Sequence, residues 1–438
     1  MSRRPVKIFL YEYLTGGGTL DGSLGDSPSD SLAIEGAAMV TALAEDLTAL
    51  PGVQVSMMRD ARIQGPRWER FPAHIVRDAH EHRLAFFRLS SAADGVILIA
   101  PESEGILLER CRRVQAIGTR VFSPSSTWIE GVSDKHQTVT VLHAAGIPVP
   151  QGRLVGPRDR LPLDISYPAV LKPRFGAGSC DTCLLVDRQA AFRYGSPAGT
   201  MRLEHYHKGL AASISVLCGP KERLLLPAGW QGISIDGSFR YLGGGVPLDP
   251  ALDRRAQRLA DRVLDALPPA IGYVGIDLIL GVDADGSEDV VLEVNPRLTT
   301  SYLGLRRLCR GNLAAMMLAV ACGQSVHLQW REERVAFAAD GGTWLSAIGK
   351  VGSPESAVLS TDSMAGWMDD SGQDESHELV SGGHRRGEPQ VGGLCYVYDD
   401  ARVPHVEAAS STEQAIAGDA RDGPLASESG RDDDRRIG

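Results

Sequence analysis

The amino-acid sequence predicts an α/β protein of more than one domain, and three observations carry that prediction. Over residues 6–122, strand-like apolar runs alternate with helical patterns, as in an open sheet covered by helices. Residues 95–100 (GVILIA) are apolar throughout, the habit of a parallel strand buried on both faces. Residues 272–307 read as a hairpin, with strands at 273–280 and 289–295 joined by the turn-rich run Asp283-Ala-Asp-Gly-Ser.

Composition narrows the class. The chain has 438 residues, enough for two to four domains, with 43% hydrophobic and 23% charged residues, values typical of globular proteins. A net charge of −10 argues against a general nucleic-acid or anionic-membrane surface, so neither partner is expected. No apolar run approaches the roughly 20 residues a membrane span needs. The N-terminal run holds Lys7 and Glu12 and reads as a first strand rather than a leader peptide. Seven scattered cysteines fit reduced thiols, and a cytoplasmic location is expected. Cys180 and Cys183 have redox-motif spacing but run into a strand pattern, so they are read as structural.

Taken in order, residues 6–11 form a strand and Thr15 to Gly18 a loop. Residues 31–50 form a helix with Ile34, Ala37, Ala38, Leu43, Leu47 and Leu50 near one face, ended by Pro51-Gly52. Residues 53–57 form a second strand. After 95–100, Leu107, Cys111, Val114 and Ile117 mark a helix that stops at Gly118, and 120–122 give another strand. Ligands of such sheets bind beyond the carboxyl ends of the strands, here Glu12 to Gly18 and Pro101-Glu102-Ser-Glu104. Ser133 is expected to cap a helix to about Ala145. Strands follow at 167–172 and 212–218, then an amphipathic helix at 254–267, the hairpin, and helical stretches to Ala321. Residues 1–130 are thus an N-terminal Rossmann-like domain and 131–330 a second, two-lobed domain with a hinge near 204–209. Residues 331–407, with strands at 335–337 and 391–398, are expected as a small appended unit. Residues 408–438 lack periodicity and are expected to be a disordered tail.

The chemistry concentrates in the hairpin and ahead of it. Side chains alternate along a strand, so Glu293 and Asn295 share a face that Asp277 of the partner strand can also present. Two carboxylates and an amide oxygen suit a hard cation such as Mg²⁺ that also holds phosphate oxygens. Arg297 follows, a permanently charged fork suited to a phosphoryl group. The bland alternative is a solvated hairpin with ordinary surface acids. Lys172 ends an apolar strand just before Gly176-Ala-Gly178-Ser179, where glycines let backbone N–H groups approach phosphate closely. No Walker-type G-x-x-x-x-G-K-[ST] is present, and neither is a G-x-S-x-G elbow.

The ordered set of Lys135, Lys172-Pro-Arg-Phe-Gly176-Ala-Gly178, Glu204 to Gly209, Asp277 and Glu293-Val-Asn295-Pro-Arg297 resembles the ATP-grasp superfamily over residues 90–322. The resemblance implies an ATP-grasp fold with an N-terminal pre-ATP-grasp domain and a C-terminal extension. It implies ATP and two Mg²⁺ ions (with Mn²⁺ as a substitute) as cofactors, and small-molecule partners. By position, Lys135 and Lys172 match the phosphate lysines, and Gly176, Gly178 and Ser179 the loop over the phosphates. Glu204, His205 and His207 match the hinge that receives adenine; Asp277, Glu293 and Asn295 match the metal ligands, and Arg297 the phosphoryl contact. Ala211 and Ala212 stand where many members carry a ribose-binding glutamate. KIFLYEYLTGGG, APESEG and NPRLTTSYLGL are similar to the tyramine–glutamate ligase family of methanofuran biosynthesis in one-carbon metabolism. The implied function is an ADP-forming carboxylate–amine ligase acting on glutamate and a tyramine-like amine. A small-molecule kinase, another amino-acid ligase and a nucleotide sensor are the alternatives, and the oligomeric state stays open, a homo-oligomer included.

Overall fold

The fold was established from a computed structural model that describes residues 4–22 and 30–347. Val6–Glu12 (β1) is buried from Ile8 onward and takes the centre of a sheet, as an almost wholly apolar strand must. With Val53–Asp60 (β2), Ala73–Val76 (β3), Gly95–Ile99 (β4) and Arg120–Val121 (β5) it forms a five-stranded sheet in the order β3-β2-β1-β4-β5. All four pairings are parallel. Chain direction across the sheet reverses between β1 and β4, so a crevice opens beyond their carboxyl ends. Glu12 and Glu102 stand there.

The sheet is covered by Asp30–Thr48 (α1), Pro66–Glu69 (α2), Ala79–Ala92 (α3) and Ile106–Ile117 (α4). Along α1, Ala38, Leu43 and Leu47 are buried as expected, but Ile34 is 45% exposed, off the packed face. The sequence reading passed over β3 and α3. In α3 the stripe that packs is interrupted by charge, and its buried residues include His82, Ala85 and Phe86. Gly118 ends α4 in the left-handed region, where glycine is favoured.

Ser126–Ser133 (α5) and Lys135–Ala144 (α6) connect to the second domain. The cap of α6 is Asp134, not Ser133. The Asp134 carboxylate accepts the His136 and Gln137 N–H groups and the Arg174 guanidinium, whereas Ser133 closes α5 and bonds back to Ile129. Gly152–Val155 (β6), Ala169–Pro173 (β7), Cys183–Leu185 (β8) and Met201–His205 (β9) make an antiparallel sheet in the order β6-β9-β7-β8, flanked by Arg188–Tyr194 (α7). This lobe has its own core of Val155, Ala169, Leu171, Leu185, Met201 and Leu203. Cys183 is a free thiol that opens β8.

The larger lobe is built from Leu210–Cys218 (β10), Arg223–Leu225 (β11), Gly229–Ile233 (β12), Tyr241–Val246 (β13), Gly272–Leu280 (β14), Val290–Asn295 (β15), Glu333–Ala338 (β16) and Thr343–Ala347 (β17). Its order is β15-β14-β10-β12-β13-β16-β17, with β11 paired to β10. Pro250–Ala266 (α8) buries Ala256, Leu259, Ala260 and Val263, and Arg255 ties it to Asp289 of the hairpin. Ser301–Leu308 (α9) and Leu313–Ala321 (α10) follow the hairpin. The appended unit expected from residue 331 does not begin there. Residues 333–338 pair with β13 and 343–347 with β16, so this stretch extends the large sheet, because its apolar alternation fits an open sheet edge. The rest of the expected unit, the strand at 391–398 and the tail at 408–438 lie outside the described residues.

One hydrophobic core runs from the N-terminal sheet into the large lobe. Ile8, Leu10, Leu43 and Leu47 belong to the same buried cluster as Leu298, Tyr302, Leu305, Leu313, Met317 and Val320. Polar bonds follow it: the Asp46 carboxylate accepts from Tyr302 Oη at 2.6 Å and from Arg306 Nε at 2.9 Å.

Candidate active site

The β14–β15 hairpin brings its polar residues together as the alternation requires. Asp277 lies opposite Glu293 and Gly275 opposite Asn295, and a bulge after Asp277 absorbs Leu292. Asp277 Oδ2 accepts from Asn295 Nδ2 at 2.9 Å, and Oδ1 accepts from Gln231 Nε2 at 3.0 Å. Gln231 was not anticipated: it reaches Asp277 across β10, a register that no local pattern displays. The Asp277 and Glu293 carboxyls thus stand on neighbouring strands at paired positions. Burial and the neighbouring Glu293 charge push Asp277 above the carboxylate range. Burial works the same way on Glu293, but the Lys135 and Lys172 charges outweigh it and hold Glu293 low.

Two lysines converge from the other side. Lys135, the first residue of α6, is ion-paired with Glu293 and donates to the Gly176 carbonyl at 2.9 Å. An ammonium has three N–H groups, so one remains. Lys172 is paired with Glu204 at 2.6 Å and lies 3.4 Å from the Leu292 carbonyl oxygen. Glu204 is almost wholly buried, and its other oxygen accepts from Arg202 Nε at 2.7 Å. The Glu204 side chain is therefore an ion-pair bridge that fixes Lys172. The His205 and Tyr206 N–H groups donate to the Gln151 and Pro168 carbonyls, which orients the hinge backbone, and burial lowers the His207 pKa.

The loop after β7 turns sharply. Gly178 has φ +67° and Ser179 φ +56°. A Cβ on Gly178 would lie 2.4 Å from Leu32 Cδ2 of α1, so the loop rests against the N-terminal domain. Gly176 is unrestricted by comparison, with Pro173 Cβ 3.6 Å from where its Cβ would stand.

Arg297 is bound by Glu102, with Nε at 3.0 Å from Oε1 and Nη2 at 3.2 Å from Oε2. Burial opposes the Arg297 charge, but Glu102, Glu293 and Glu35 together hold its pKa up. Burial pushes the Glu35 carboxyl up to about 7, with Arg297 pulling the other way. Glu12 is also pushed up by burial, against hydrogen bonds from Thr15 and Leu14.

The fold thus brings Lys135, Lys172, Asp277, Glu293 and Asn295 near one another, and Arg297 is near enough for its charge to act on Asp277. Among the described residues, no group of three or more His, Cys, Asp or Glu side chains is arranged to hold a metal. The hairpin offers two carboxylates and one amide instead. No helix among them is long and apolar enough to cross a membrane.

Comparison with known proteins bears on this arrangement. Residues 132–301 match the ATP-grasp domain family and residues 53–129 the pre-ATP-grasp 3 domain. The carbamoyl phosphate synthase large chain of Mycobacterium sp. (strain JLS) is 25% identical over 260 residues, 53% of this chain, which spans only 22% of that protein. The tyramine–L-glutamate ligase of Methanocaldococcus jannaschii is 21% identical over 255 residues, covering 58% of this chain and 71% of that one. Among solved structures, an ATP-grasp superfamily protein of Archaeoglobus fulgidus superposes with a TM-score of 0.57 at 22% identity, covering 76% of this chain and 92% of that one. The L-amino acid ligase of Bacillus licheniformis gives a TM-score of 0.54 at 15% identity, covering 76% and 80%. ATP-grasp enzymes use ATP, typically with divalent metal ions, on small molecules, and two of these relatives, the tyramine–L-glutamate ligase and the L-amino acid ligase, are ligases by name. With both domains matched in order along one chain, the protein belongs to the ATP-grasp superfamily.

Proposed function

We propose that the protein is an ATP- and Mg²⁺-dependent carboxylate–amine ligase that joins glutamate, through its γ-carboxylate, to tyramine or a tyrosine-like amine. The phosphoryl group passes to the carboxylate, and the amine nitrogen then attacks the acyl carbon. Phosphate leaves, the amine gives up a proton, and an amide forms. The observation that carries this reading is the Asp277–Glu293 pair, faced by Lys135 and Lys172 and flanked by Arg297. Such a site is made for phosphoryl transfer, where positioning and charge neutralisation supply most of the catalysis. The choice of glutamate and a tyramine-like amine, and with it a place in methanofuran-type cofactor assembly, leans on the similarity to tyramine–L-glutamate ligase.

Asp277, Glu293 and the Asn295 amide oxygen would hold the metal. The fit is chemical: two adjacent carboxylates repel unless a proton or cation lies between them, and burial together with the Glu293 charge pushes Asp277 up. Mg²⁺ commonly takes one or two carboxylates and completes its shell with phosphate oxygens and water. When bound, the metal would neutralise phosphate charge and polarise the transferring group. Lys135 and Lys172 would use their remaining N–H groups on phosphate oxygens, and the backbone of Gly176, Gly178 and Ser179 would close over them. Glu204, His205 and His207 would border the adenine, and Arg297 would contact the transferred phosphoryl group.

The test is ADP release with Mg²⁺ across a panel of amino acids crossed with aromatic amines. The strongest response is expected for glutamate with tyramine, with a hydroxamate formed when hydroxylamine replaces the amine. ADP release without a hydroxamate would point to a kinase, and no response to any pair would overturn the ligase reading.

A further inference from the structure

Arg297 is held chiefly from outside its own lobe. Its partner Glu102 stands just past the end of β4 in the N-terminal domain, and their side chains are only 13% and 5% exposed. The contact is a fork, with both carboxylate oxygens engaged, at 3.0 and 3.2 Å. Arg297 Nη1 also donates to the Leu298 carbonyl at 3.3 Å. A guanidinium carries five N–H groups. These bonds take the Nε hydrogen and one on each terminal nitrogen, which leaves one N–H on each Nη.

Of the carboxylates around Arg297, three come from the N-terminal domain, and they are not equivalent. Glu12 is turned toward the Leu14 N–H and the Thr15 N–H and hydroxyl. Glu35 acts on Arg297 through its charge. Glu102 makes the two-bonded contact, and its charge also reaches Lys135 across the site. Burying an ion pair costs more than it returns unless further bonds compensate, so such a pair is a poor device for stability alone. It does fix geometry. Arginine is long, and a donor that swings among rotamers is badly placed for charge that develops in a transition state.

We propose that Glu102 is a positioning residue for phosphoryl transfer: it holds the Arg297 guanidinium from the N-terminal domain so that its two remaining N–H groups face the γ-phosphoryl oxygens. The proposal rests on the role given above to Arg297, and it makes the N-terminal domain part of the phosphoryl site.

Calorimetric titration of the full chain with Mg²⁺ and either ADP or the non-hydrolysable β,γ-imido analogue of ATP reads this directly. The wild type should prefer the triphosphate. In Glu102→Gln, which keeps shape and one acceptor oxygen, that preference should fall about tenfold, the scale of a charge-assisted bond, while ADP affinity stays within about twofold. Arg297→Ala should lose the same preference, and the double variant no more, since the two residues act as one unit. Glu102→Asp keeps the charge but lacks one methylene, and should fall between; it carries the test if Glu102→Gln does not fold. An undiminished preference in Glu102→Gln, an equal loss for both nucleotides, or additive losses in the double variant would overturn the proposal. If Arg297→Ala itself keeps the preference, the reading of Arg297 fails first.

Discussion

Glu293 is pulled two ways: Lys135 is ion-paired with it and the Asp277 carboxyl stands opposite it in the hairpin. Glu293→Gln preserves shape and one oxygen but removes the charge, so the fold should survive while ADP formation falls by orders of magnitude, as when a metal is lost from a transferring phosphoryl group. A variant within about threefold of the wild type, a barrier change under about 1 kcal/mol, would overturn the proposed role of Glu293 in holding a metal. Glu35 gives a different signal. Its carboxyl is raised by burial from 4.5 to about 7 in the folded chain, so the folded state binds the proton more tightly than the unfolded one. Stability is therefore lost as pH rises from about 4.5 toward 7, and the penalty is complete above that. Glu35→Gln should raise the melting temperature at pH 8 and leave it nearly unchanged at pH 4.5; a loss at pH 8 would mean that the Arg297 charge dominates instead. At this scale the hairpin residues were legible because each sits in a short pattern whose period fixes its face. Gln231 and the Glu102–Arg297 contact were not, because they depend on registers set across β10 and across the two domains.

The loop after β7 shows how an element uses its glycines unequally. Gly178 needs its left-handed φ and the space beside Leu32, whereas Gly176 has neither demand. Gly178→Ala should therefore destabilise by about 1 kcal/mol or more, and Gly176→Ala should stay within about 0.5 kcal/mol, as read by denaturant unfolding. Equal effects would mean that the loop is not held against α1. The elements themselves were read well where one signal dominated, as in β1, β4, α4 and the hairpin. The cap of α6 was missed by one residue because Ser133 and Asp134 are both good caps, and the Arg174 guanidinium decides for Asp134. α3 was missed because its buried stripe holds a histidine among charged neighbours.

The whole molecule divides differently in chain order and in packing. A boundary near residue 130 follows the motifs, yet the buried cluster crosses it, from Leu43 and Leu47 on α1 to Tyr302, Leu305 and Met317 on α9 and α10. Sequence periodicity could show that each helix has an apolar face but not which faces meet. Residues 1–130 made alone should lose these partners, and the fragment should bind a hydrophobic dye and lack a cooperative melt; a sharp two-state transition would contradict the shared core. The small lobe, with its separate core, carries no such debt to its neighbours. For anyone wishing to exchange the N-terminal domain between relatives, the unit of exchange is consequently discontinuous in the gene. A transplant of the first 130 codons would arrive with half a core, whereas one that also carried the segment encoding α9 and α10 would bring both sides of the joint from one parent.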